Sequence, residues 1–157
     1  MNKKTKRIVI IFIVSLFIFG FFLNQFNPGP DTEETVSFTT IQKGFYSGYR
    51  EQAQALIFEE RGLLEFGIEN SGIDFFSSTA LFVSMGERNS GGYSIEIESI
   101  VRLGNHLYVN VTEKSPGSNC VTTQAITQPY HLVVFDSSVE FSNISFSTDS
   151  VVVDCDD

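Results

Sequence analysis

The densest run of residue types able to do chemistry is Met85-Gly86-Glu87-Arg88-Asn89-Ser90-Gly91-Gly92-Tyr93-Ser94-Ile95-Glu96-Ile97. Glu87, Arg88, Asn89 and Ser90 supply charge and hydrogen-bonding groups. Gly91 and Gly92 let a backbone come close to another surface, and they also permit the positive φ that a turn needs. Tyr93 carries a ring for packing and a hydroxyl for a rim. A second cluster, Thr127-Gln128-Pro129-Tyr130-His131, combines a rigid proline with an aromatic and an imidazole. These residue types suit protein contact: Glu87, Arg88, Asn89, Ser90, Gly91, Gly92, Tyr93, Thr127, Pro129, Tyr130 and His131 are the candidate partner-binding set. They do not suit catalysis. The chain shows no paired carboxylates, no Ser/His/Asp arrangement and no phosphate-cradling glycine loop. His106 and His131 stand far apart, and with two cysteines they make no zinc-ligand spacing. No cofactor, metal or enzymatic activity is expected. Asp74, beside Phe75 and Phe76, reads as a turn cap rather than a buried acid.

Charge narrows the partners. Four of the ten Lys and Arg lie in the first seven residues, and all 19 Asp and Glu lie from Asp31 onward. The six remaining cations against 19 acids give the rest of the chain a net charge of −13. Such a surface repels phosphate backbones, so nucleic acid is not an expected partner. Lys3, Lys4, Lys6 and Arg7 precede an uncharged apolar run, Ile8 to Leu23. Sixteen helical residues span roughly 24 Å against a hydrocarbon core of ~30 Å. Basic flanks stay cytoplasmic, which sends the C-terminal bulk outside. The expected organisation is a basic segment (1–7), a transmembrane signal-anchor (8–26), a flexible tether (27–36) and an extracytoplasmic domain (37–157). A cleaved signal peptide is the other reading, with Gly20 to Gln25 a poor cleavage site. In that compartment Cys120 and Cys155 read as a disulfide; free buried thiols are the alternative. Closing a loop of about 35 residues stabilises by ~3–4 kcal/mol in the chain-entropy picture.

The elements that must position these residues are strands. Val36–Ile41 alternates and is β-branched, and Ala53–Phe58 suits a strand or a helix. Glu59–Ile68 reads as a short helix ending at Asn70-Ser71-Gly72. Thr79–Met85 is a short apolar run, as expected of a central strand covered on both faces. Tyr93–Val101 and Asn105–Thr112 flank Gly104-Asn105 and predict an antiparallel hairpin, with a bulge where the phase changes near Ser99. Glu113–Gln124 reads as loop. Tyr130–Phe135, Val139–Phe146 and Val151–Val153 complete roughly eight strands. The fold class is mainly β: an antiparallel β-sandwich or open barrel with one short helix, preceded by a transmembrane helix.

The turn Met85-Gly86-x-x-x-Ser90-Gly91-Gly92-Tyr93-Ser94-Ile95-x-Ile97 resembles the PrcB C-terminal domain family. So do Val109-x-Val111-x-Glu113-x-x-Pro116-Gly117, Thr127-x-Pro129-Tyr130-His131-Leu132-Val133 and, upstream, Ile73-Asp74-Phe75. The resemblance runs from about Asp74 to Phe135. It implies an exported, non-enzymatic module whose founding relative helps a surface protease complex assemble. Two departures are present: no cysteine follows the apolar run to accept a lipid, and Asn89-Ser90 stands where Pro-Thr is usual. A looser likeness to chagasin-type peptidase inhibitors pairs Asn89–Tyr93 with Thr127–Tyr130 as two loops at one end of a sandwich.

Overall fold

Alternating apolar residues put one face of each strand against a neighbouring sheet. The computed structural model describes residues 32–69 and 71–155. The expected signal-anchor and the start of the tether lie outside those residues. Among the described residues, no helix is long and apolar enough to cross a membrane. Eight strands and one helix are described: β1 (Glu33–Thr35), β2 (Phe38–Gly44), β3 (Gln52–Ile57), α1 (Glu60–Leu64), β4 (Ser78–Met85), β5 (Ser94–Leu103), β6 (His106–Pro116), β7 (Tyr130–Asp136) and β8 (Asn143–Val153). They form two four-stranded sheets, ordered β1-β5-β6-β8 and β2-β7-β4-β3. The architecture is therefore two packed sheets, not a closed barrel.

The β5–β6 hairpin carries the first sheet. Leu107, Val109 and Val111 alternate inward and are buried, as are Ile95, Ile97 and Ile100 opposite them. Ile97 and Ile100 share a face although three residues apart, because the register shifts between Ile97 and Ser99. A bulge of this kind inserts one residue and restores the inward phase. Leu81, Val83, Val133 and Phe135 of the second sheet fill the space between the sheets. The other face of that sheet is covered as well. Ala80, Phe82 and Leu132 pack against Leu63 of α1 and against Phe66 and Ile68 beyond it. Phe66 stacks on Phe82 with ring centres 4.4 Å apart. Two covered faces explain why β4 is apolar at consecutive positions instead of alternating.

Five local expectations change, the first being that the separate strands expected over Val139–Phe146 and Val151–Val153 are one continuous strand, β8. The sheet is not purely antiparallel: β8 runs parallel to β6 from His106↔Asn143 to Pro116↔Val153. The reason is that β7 makes the return trip in the other sheet, so β8 starts beside the start of β6 and runs the same way. β6 extends to Pro116, taking Glu113–Pro116 out of the expected loop, because β5 and β8 pair with it on both sides. The helix stops at Leu64, before the expected Asn70–Gly72 boundary, where Phe66 N and Gly67 N donate to the carbonyls of Leu63 and Leu64. Glu33–Thr35, read from composition as tether, pairs with Val101–Leu103 as β1. An ion pair between Glu34 and Arg102 supports that pairing.

Candidate functional site

The glycine-rich turn leaves β4 through a position only glycine fits. Gly86 has φ +72°, and a Cβ there would sit 2.8 Å from Gln52 N and 2.9 Å from Arg50 O. Glu87 N donates to Arg50 O at 2.8 Å, so the turn is bound to the start of β3. The turn is bound on its other side to the segment before β7. Arg88 N donates to Thr127 O at 2.8 Å, and Thr127 N returns a bond to Arg88 O at 2.9 Å. Thr127 Oγ1 donates to Ser90 O at 2.9 Å, and Gly91 N donates to Thr123 O at 3.0 Å. Met85 N donates to Pro129 O. Gly92, at φ +88°, lies against the Pro116 ring. The two candidate clusters, more than thirty residues apart in sequence, are thus one hydrogen-bonded assembly at one end of the sandwich.

Within that assembly the candidate residues divide by depth. Thr127, Pro129 and His131 are buried. Tyr130 is half-buried and packs on the outer core of the second sheet. Asn89 and Gly92 are exposed, and Glu87, Arg88, Ser90, Gly91 and Tyr93 are half-exposed. The Arg88 guanidinium lies 5.7 Å from the centre of the Tyr93 ring, a cation–π distance. Glu87 Oε2 is buried, lies 3.3 Å from Arg50 Nε, and has no hydrogen bond among the described residues.

His131 is 1% exposed and both ring nitrogens are engaged. β1 covers β5 only at Val101–Leu103, so the amide of Ile97 has no strand partner on that side. It donates to His131 Nδ1 at 3.0 Å instead. Nδ1 must then carry the lone pair, which leaves the hydrogen on Nε2 to donate to Thr40 Oγ1 at 2.9 Å. The ring is therefore held neutral. Burial lowers its pKa from 6.5, Lys43 lowers it further, and Glu96 opposes them. Lys43 Nζ lies 2.7 Å from Glu96 Oε2, and that hydrogen bond holds the Glu96 carboxyl below its ordinary value of 4.5. This is the environment of a structural histidine that satisfies a buried amide.

Other expected residues fall into place. Asp74 is exposed and caps its turn, accepting from Phe76 N at 3.0 Å and Ser77 Oγ at 2.9 Å. Cys120 and Cys155 form the disulfide. Asn119 reinforces it by bonding both the N–H and the carbonyl of Cys155. Among the described residues no group of three His, Cys, Asp or Glu is placed to hold a metal. Reading the sequence missed the apolar surface beside the turn. Phe45 (51% exposed), Tyr46 (67%) and Ile126 (56%) lie on loops stitched together by Gln128 N donating to Phe45 O and Ser47 N to Gln128 O. Nothing in the spacing of Phe45 and Tyr46 marked them as surface.

Residues 79–136 match the family described as PrcB C-terminal. The match runs from the second residue of β4 to the last of β7, so it contains the hairpin, the glycine-rich turn and the Thr127–Pro129 clamp. No curated protein and no solved structure matches the chain. The matched residues, 79–136, include every one of the candidate loop residues, whereas Phe45 and Tyr46 come from the chain before them.

Proposed function

We propose that the protein is a non-catalytic docking module at the outer face of a membrane, held there by its N-terminal apolar segment and accessory to an exported protease complex. The observation that carries this reading is the exposed Phe45, Tyr46 and Ile126 surface: the Phe45–Tyr46 loop is hydrogen-bonded to Gln128, and the segment that carries Ile126 and Gln128 clamps the glycine-rich turn through Thr127. Large exposed apolar side chains are the usual anchors of protein contacts, and rigid loops lose little entropy on binding. The PrcB likeness supports a protease complex as the assembly concerned. The basic cluster before Ile8 supports the orientation.

The test is a photo-crosslinking residue at position 46 of the full-length protein in intact cells. A discrete crosslinked species is expected, and it should weaken at least about tenfold when Phe45→Ser and Ile126→Ser are combined. An unchanged crosslinking pattern in the double variant would overturn the docking face. Externally added protease should remove the domain from whole spheroplasts; protection of the domain would overturn the orientation.

A further inference from the structure

The domain has a large excess of carboxylates, so each of its few cations has acids to choose from. Among the described residues, Lys43, Arg50, Arg61 and Arg102 each lie within 4 Å of a carboxylate. Arg88 and Lys114 do not, and both line the same cleft of about 340 Å³ beneath the glycine-rich turn. Met85, Tyr93, Glu113, Ser115 and Ser150 complete its lining.

Arg88 is held in place without being neutralised. Its backbone is clamped in both directions by Thr127, its Nη1 donates to Glu87 O at 3.4 Å, and its guanidinium lies over Tyr93. A guanidinium in a fixed position offers a two-pronged donor to an incoming carboxylate with little ordering left to do. Met85 and the Tyr93 ring supply an apolar wall beside it. Glu113 is anchored by Gln52 Nε2 donating to its Oε1 at 3.0 Å, which leaves Oε2 to accept an amide N–H. Ser115 and Ser150 add two hydroxyls to the lining. An acidic side chain would use only the cation. A chain terminus brings a carboxylate, a side chain and an amide N–H on one carbon, and so uses cation, wall and acceptor together.

We propose that this cleft receives the C-terminal residue of a partner polypeptide, its terminal carboxylate on Arg88 and its side chain against Met85 and Tyr93. The inference rests on the docking reading and names the chemistry that the partner presents. The experiment uses full-length protein and three fluorescein-labelled pentapeptides that differ only at the end: Ala-Leu with a free carboxylate, Ala-Leu amide, and Ala-Glu amide. Fluorescence anisotropy should show the free carboxylate binding at least about tenfold more tightly than either amide. Arg88→Gln should abolish that preference. Ser150→Trp, which fills the cleft from β8 without touching the turn, should abolish binding and guards against a folding defect in the first variant. Equal binding of the three peptides, binding of none, a preference for Ala-Glu amide, or a preference that survives Arg88→Gln would each overturn the proposal. Crosslinking from position 46 is read on Arg88→Gln in parallel. If that variant loses its preference for the free terminus, weaker crosslinking supports the cleft as the route of docking. If crosslinking stays at full strength while the peptide result fails, the docking reading stands and the cleft inference falls.

Discussion

His131 shows how one side chain can be fixed by a single backbone amide. Ile97 N–H has no strand neighbour, and an unpaired buried donor costs about 1–3 kcal/mol. His131→Leu should therefore lower stability by roughly that amount near pH 7.5, read by thermal or urea denaturation. The sign of the pH dependence follows from the lowered pKa. The unfolded chain takes up a proton near 6.5 that the folded ring resists, so stability is full above that value and declines as pH falls below it. The wild-type melting temperature should drop between about pH 6.5 and pH 5, and His131→Leu should flatten that slope. Lys43 and Glu96 face the ring from β2 and β5, and the lowered pKa of Glu96 places its own contribution below 4.5, outside this window. At Gly86 the constraint is steric. Gly86→Ala adds a Cβ at positive φ and 2.8 Å from Gln52 N, so a loss of about 2 kcal/mol or more is expected in the same denaturation assay.

The best-specified element is the β5–β6 hairpin. Period-two alternation, the Gly104-Asn105 turn and the phase change before Ile100 were all legible, because hairpin register depends on local spacing. β4 was legible as a doubly covered strand for the same kind of reason. What covers its outer face was not: α1 and the Phe66 turn reach it only through the tertiary fold. Phe82 is fully buried there between Phe66 and Tyr130. Phe82→Ala should cost about 3–5 kcal/mol by urea denaturation, whereas Phe76→Ser, at a fully exposed position, should cost less than about 0.5 kcal/mol. The direction of β8 was not legible either, since alternation marks faces and carries no polarity. Parallel pairing was decided by β7 crossing to the second sheet.

At the scale of the whole domain, the Cys120–Cys155 bridge ties the end of β8 to the loop after β6. β8 is an edge strand exposed over most of its length, so little burial holds its last residues. Reduction should cost ~3–4 kcal/mol of stability and should loosen Val151–Val153 first, seen as faster amide hydrogen exchange there. Retained protection of those amides after reduction would show that the strand pairing alone suffices. The acidic surface acts at this scale too, because a domain this negative leaves a fixed, unneutralised arginine conspicuous.

The amino-acid sequence by itself determined the strand-rich character, the hairpin and its bulge, and the likeness to the PrcB C-terminal family. Each of these depends on residue type and short-range spacing, which a linear chain carries in full. Only the tertiary structure decided that the glycine-rich turn and Thr127 clamp each other, that His131 lies inside rather than on the surface, and that Phe45, Tyr46 and Ile126 stand exposed beside them. Burial and proximity depend on which distant segments cover a residue, and no local pattern in the chain records that.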